Sequence, residues 1–90
     1  MNLSDVIFIN NLPTLDIHGF DRITSSIMIN DFIKDNYIMK NKFIVIVHGI
    51  GSGVLKEATR KTLSKNKSIV EYKIYPYNVG CTIASIDLTK

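Results

Sequence analysis

The feature that most constrains this chain is Phe43-Ile44-Val45-Ile46-Val47 running into His48-Gly49-Ile50-Gly51-Ser52-Gly53. The apolar run is short, mostly β-branched and uncharged, which suits a strand in the middle of a sheet. The glycines mark a tight turn and leave room for backbone N–H groups to approach a ligand. Val54-Leu55-Lys56-Glu57-Ala58-Thr59-Arg60-Lys61-Thr62-Leu63 follows with helical periodicity. A helix starting there directs its unpaired N–H groups and the positive end of its dipole at the loop. Strand, glycine loop and helix start together form an anion site, with phosphate the usual occupant. The same glycines also suit a plain strand-to-helix turn, because a glycine alternation alone is a weak signal.

The rest of the chain is organised around that unit. Val6-Ile7-Phe8-Ile9 suits a short strand or turn, and residues 1–11 read as a lead-in to a single domain over 12–90. Thr14-Leu15-Asp16-Ile17-His18-Gly19 reads as a first strand. Its period-two alternation places Leu15 and Ile17 on one face and Asp16 and His18 on the other. Two such neighbours can form a pair in which the carboxylate orients the imidazole and raises its basicity. Asp21 is a candidate N-cap for a helix. Ile23, Ile27, Met28, Ile29, Phe32, Ile33 and Tyr37 form its apolar stripe, and Thr24, Ser25, Asn30, Asp31, Lys34 and Asp35 its outer face. Asn36, Asn41 and Lys42 mark its end. In the second helix Leu55, Ala58, Thr62 and Leu63 are expected to face the sheet. Residues 69–75 form a third strand, with Val70, Tyr72 and Ile74 on one face, and residues 81–88 a last one. The order β-α-β-α-β-β predicts a two-layer α/β sandwich with a mixed four-stranded sheet and two helices.

Composition narrows the function classes. Apolar residues make up 46% and charged residues 21%, an ordinary globular balance. No apolar run approaches the roughly 18 residues of a membrane span, and the N-terminus does not resemble a signal peptide. A single cysteine, Cys81, excludes an internal disulfide and fits a reducing, cytoplasmic setting. With two histidines beside it, a structural zinc site is not expected. Six of the eleven basic residues fall between Lys56 and Lys73, a stretch that suits nucleic-acid contact or a solvated helix surface.

Three stretches stand out together: Leu15-Asp16-Ile17-His18-Gly19, His48-Gly49-Ile50-Gly51-Ser52-Gly53 and Asn78-Val79-Gly80-Cys81-Thr82-Ile83. In order and spacing they resemble the Smr, or small MutS-related, domain over about residues 12–88. The resemblance implies a fold like the C-terminal domain of a translation initiation factor. It implies activity in a family that includes endonucleases on DNA or RNA, some acting at stalled or collided ribosomes, and it points to a bacterial source. It places catalysis at Asp16 and His18, backbone contact at His48, Gly49, Gly51 and Gly53, and the last motif at Gly80 and Thr82. This sequence departs from the family pattern at Val79, where a glycine is usual, and at Thr24 and Ser25, where an acidic residue and an alanine are usual.

The expected function is a nucleic-acid-binding endonuclease, acting on RNA more than DNA. Asp16, His18 and His48 are the expected catalytic residues. Gly49, Gly51, Ser52, Gly53, Lys56, Arg60, Lys61, Gly80 and Thr82 are the expected phosphate and backbone contacts. On RNA one histidine would deprotonate the 2′-OH and the other would protonate the leaving oxygen, without a metal or other cofactor. DNA lacks that hydroxyl and would call for a water activated by a divalent metal, for which one aspartate is a thin site. The expected partners are nucleic acid and the ribosome, with the chain a monomer and no membrane involved. The rival reading is a non-catalytic module docking on nucleic acid or the ribosome. A small-molecule phosphate binder is weaker, since so small a two-layer domain offers little room for a deep pocket.

Overall fold

A computed structural model describes residues 11–89 of the chain. Most of the expected lead-in, including Val6 to Ile9, lies outside the described residues. Six elements follow in order: β1 (Thr14–Asp16), α1 (Arg22–Ile38), β2 (Phe43–Val47), α2 (Val54–Lys65), β3 (Ile69–Ile74) and β4 (Cys81–Ile86). The sheet order is β1-β2-β4-β3. β1 and β2 are parallel, with Asp16 opposite Val47. β4 runs antiparallel to both β2 and β3. The architecture is the expected mixed four-stranded sheet with two helices.

β4 lies between β2 and β3, and all six of its residues are buried. Its alternation serves two cores. Ala84 and Ile86 join Ile17, Ile44 and Ile46 beneath Ile29 and Ile33 of α1 and Leu63 of α2. Cys81 and Ile83 join Val45 and Tyr75 on the opposite face, with Leu12 packed against them. Both helices therefore cover one face of the sheet. No helix among the described residues is long and apolar enough to cross a membrane.

Asp21 caps α1 as expected, its Oδ1 accepting from the Thr24 N–H at 2.6 Å. The helix is rotated from the expected orientation. Ser25, Ile29, Ile33 and Asn36 are its buried residues, while Ile23 and Ile27 lie outside at 76% and 58% exposure. Asn36 is a buried clamp within the helix. Its Nδ2 donates to Phe32 O at 2.8 Å, and its Oδ1 accepts from Asn41 Nδ2 at 2.9 Å. The register of β3 also shifts between Ile69 and Glu71. The extra residue breaks the alternation, so Val70 is exposed and Ile69 packs with Tyr72 against the helix-side core. α2 is oriented as expected, with Ala58, Thr59, Thr62 and Leu63 buried.

Candidate functional site

Parallel pairing brings the C-terminal ends of β1 and β2 to the same sheet edge, where open α/β sheets place their ligands. β1 stops early, but Ile17 continues the ladder through its N–H to Val47 O at 2.9 Å. Leu15 and Ile17 face the helix-side core, as the alternation predicts. Asp16 and His18 take the other side and pair. His18 Nδ1–H donates to Asp16 Oδ1 at 2.5 Å, and the His18 backbone N–H donates to the same oxygen at 3.0 Å. These bonds, the side-chain one first, hold the Asp16 carboxyl below its ordinary range. With Nδ1–H committed to Asp16, the basic lone pair of a neutral His18 is on Nε2. The imidazole is 71% exposed.

The glycine loop stands against this pair. A Cβ placed on Gly49 would lie 3.7 Å from His18 Cβ, so the loop starts beside the histidine. Gly51 and Ser52 are exposed. Gly53 has a left-handed backbone at φ 88° and caps α2 without any side-chain hydrogen bond. The start of α2 therefore offers backbone N–H groups and a positive dipole end beside the loop.

His48 is placed differently from the expectation. Pairing of Ile46 with Thr82 puts both on the helix side of the sheet, and the His48 ring joins them there, whereas Asp16 shares the open face with Val47. His48 is only 5% exposed. Its Nδ1–H donates to Gly49 O at 2.9 Å, and Thr82 Oγ1 donates to its Nε2 at 2.9 Å. Both ring nitrogens are thus engaged. Strand parity sends the two histidines to opposite faces, so the ring expected as the second catalytic imidazole is buried and hydrogen-bonded at both nitrogens.

Gly80 and Thr82, expected as backbone contacts, also lie inside. Both are buried, so neither presents a surface to a backbone phosphate. Gly80 O accepts from the N–H groups of His48 and Gly49 at 2.9 and 3.0 Å, tying the β3–β4 turn to the glycine loop. A Cβ on Gly80 would meet Gly49 backbone atoms at 3.4 Å and Asn78 Oδ1 at 3.2 Å. Asn78 was not foreseen. Its Oδ1 accepts from the Gly80 N–H at 3.0 Å and fixes the turn that carries this brace. An asparagine two residues before a turn glycine was the available signal.

The basic surface is split. Lys56 is exposed near the start of α2. Arg60 donates to both carboxylate oxygens of Glu57 and leans towards Tyr72, so much of its charge is already matched. Lys61 instead lines a groove between α1 and α2. The stretch from Lys56 to Lys73 is therefore not one continuous face. Three exposed apolar side chains were also missed: Phe20 after the β1 turn, Ile50 within the glycine loop, and Tyr77 in the β3–β4 turn. The Tyr77 ring rests edge-on against buried Tyr75, with centroids 5.5 Å apart. Cys81 lies beneath this edge. Burial, with the Asp16 charge adding to it, pushes its thiol up. Among the described residues no group of three His, Cys, Asp or Glu side chains is placed to hold a metal ion.

Fold and site together define a small open α/β domain whose polar pair and glycine loop share one sheet edge. Within that class, the chain belongs to the Smr domain family, whose sequence model matches residues 15–85. It is 33% identical over 76 residues to Endonuclease MutS2 of Lactococcus lactis, covering 84% of this chain and 10% of that protein. The chain thus spans about a tenth of the relative's length. Its fold is similar to the crystal structure of the Smr domain of Thermus thermophilus MutS2, with a TM-score of 0.81 at 18% identity over 83% of this chain and 98% of that one. It is also similar to YdaL, a stand-alone small MutS-related protein from Escherichia coli, with a TM-score of 0.74 at 15% identity over 81% of this chain and 63% of that one.

Proposed function

We propose that this chain binds nucleic acid and cleaves its phosphodiester backbone, RNA in preference to DNA, with His18 as the proton acceptor. The observation that carries this reading is the Asp16–His18 pair, which leaves an exposed imidazole on a residue that lies beside the first glycine of the loop. Its membership of a family with relatives named as endonucleases supports it. His18 Nε2 removes the 2′-OH proton, and the 2′-oxygen attacks phosphorus. The bond to the 5′-oxygen breaks, and that oxygen takes its proton from water, leaving a 2′,3′-cyclic phosphate. Asp16 holds the ring and stabilises the imidazolium that forms. General-base help of this kind is worth typically 10²–10⁴-fold. The N–H groups from Gly51 to Val54, with Lys56, bind backbone phosphate and stabilise charge as it develops. Phe20 and Tyr77 offer ring faces on which unpaired bases stack. His48 holds the loop in place and transfers no proton.

A second reading, a binding module that docks on structured RNA or the ribosome without cutting it, is favoured by the openness of the pair, since among the described residues nothing covers His18 and Asp16 to exclude water. One experiment separates the two. Purified protein is incubated with labelled RNA, with the same RNA bearing one 2′-deoxy sugar at the cut site, and with DNA, each with and without EDTA. The expected result is RNA cleavage that resists EDTA, stops at the deoxy sugar and is lost in His18→Ala while binding stays within a few-fold. Undiminished cleavage of the deoxy substrate overturns the 2′-OH mechanism. Unchanged activity in His18→Ala removes this site, and binding without cleavage by the wild type establishes the module.

A further inference from the structure

The two helices leave a feature of which the catalytic reading uses only the Gly53–Val54 end. Between their outer faces runs an open groove of about 1070 Å³ that starts at Gly53 and follows α2 down to Lys65. Its apolar surface comes from Ile23 and Ile27 of α1 and Val54 of α2, all exposed. Its cations are Arg22 at the start of α1, Lys61 and Lys65 one turn apart on α2, and Lys67 just beyond the end of α2. Glu57 is the one acidic lining residue, and it is paired with Arg60. Two hydrogen bonds tie the helices together along it. Ser26 Oγ and Thr62 Oγ1 are hydrogen-bonded at 2.9 Å across it, and Asn66 Nδ2 donates to Asn30 Oδ1 at 3.0 Å further along.

α1 places these isoleucines outside while Ser25 lies in the core, the reverse of what its own periodicity favours. An apolar strip rimmed by cations calls for an occupant with both characters. The geometry points to an amphipathic helix of a partner protein, apolar on one face and acidic along its flanks. Leucine-like side chains at i, i+3 or i+4, and i+7 would cover Ile23, Ile27 and Val54, and carboxylates one turn apart would meet Lys61 and Lys65. Charge selects the occupant. A second copy of this chain, at net charge +3, brings the wrong sign. Nucleic acid brings the right sign but fits less well, since none of the lining residues is aromatic and the isoleucines would gain nothing from phosphate or sugar. The inference is independent of whether His18 is catalytic.

The test uses the full chain and a labelled synthetic helical peptide with leucines along one face and glutamates along both flanks. The controls are a scrambled peptide of the same composition and a labelled RNA oligonucleotide. Circular dichroism checks that Ile27→Glu and Lys61→Glu/Lys65→Glu remain folded, as expected for exposed positions. Saturable binding of the amphipathic peptide is expected, weakened about tenfold or more by either variant and by scrambling. Equal binding of the scrambled peptide, or affinity unaffected by Ile27→Glu, reduces the effect to charge attraction and overturns the proposal. Absence of saturable peptide binding overturns it outright, and RNA binding lost in Lys61→Glu/Lys65→Glu would then assign the groove to nucleic acid.

Discussion

Thr82 and His48 are separated by 34 positions in sequence, yet Thr82 Oγ1 donates to His48 Nε2 at 2.9 Å in a buried contact. The bond exists because β4 enters the sheet beside β2, and it holds the glycine loop from below. Removing the hydroxyl leaves a buried ring nitrogen without its donor, which costs about 1–3 kcal/mol. Thr82→Val is therefore expected to lower Tm by several degrees, at roughly 4–8 °C per kcal/mol for a domain of this size. Thr82→Ser retains the hydroxyl and should stay closer to the wild type. Activity per folded molecule is expected to survive both changes. Loss of cleavage in a fully folded Thr82→Val would return the His48 end to the chemistry.

The glycines of the loop are not equivalent, and stability measurements should separate them. Gly53 is left-handed, a conformation that costs other residues roughly 1–2 kcal/mol. Gly51 is outside that region, and a Cβ there meets nothing within 4 Å. Gly53→Ala is expected to lower Tm, whereas Gly51→Val should leave stability within about 0.5 kcal/mol. Gly51→Val should instead weaken nucleic-acid binding, because its side chain obstructs the approach of phosphate to the backbone. Normal binding by Gly51→Val at full stability would reduce the loop to a turn.

Ser25 is the clearest target for stabilisation. Its hydroxyl is fully buried and has no hydrogen-bond partner among the described residues. Leaving such a group unsatisfied costs about 1–3 kcal/mol, whereas alanine removes the polar atom with little loss of volume. Ser25→Ala is expected to raise Tm by several degrees in a thermal melt. A lower Tm would mean that the hydroxyl has a partner in solution.

Acid should destabilise the fold through three carboxylates. Asp16 is held low by His18, Asp21 by the Thr24 N–H at the α1 cap, and Glu57 by Arg60. In each case the folded-state pKa lies below the unfolded one. The contribution is therefore complete above the ordinary carboxylate range of about 4 and disappears as pH falls through the depressed values. Tm is expected to hold from neutral pH down to about 5 and to fall below 4. Asp21→Asn keeps a capping oxygen that does not titrate, so its acid limb should be shallower than that of the wild type. Superimposable acid limbs would show that the cap contributes nothing to acid sensitivity.

Local sequence signals account for the order and type of all six elements, the Asp21 cap, the pairing of Asp16 with His18, and the glycine turn before α2. Each of these depends on residues within about one helical turn or a few strand positions of each other, where period and capping chemistry act directly. Tertiary structure decided which face of each element meets what. Insertion of β4 beside β2 brought Thr82 to His48 and buried both. Strand parity then separated His48 from His18, although both stand at the same sheet edge. A bulge turned Val70 outward, and the seating of α1 buried Ser25 and Asn36 while leaving Ile23 and Ile27 along a groove. Local periodicity fixes the angles between side chains within one element. How that element is turned towards the core depends on contacts far apart in sequence, which no single stretch contains.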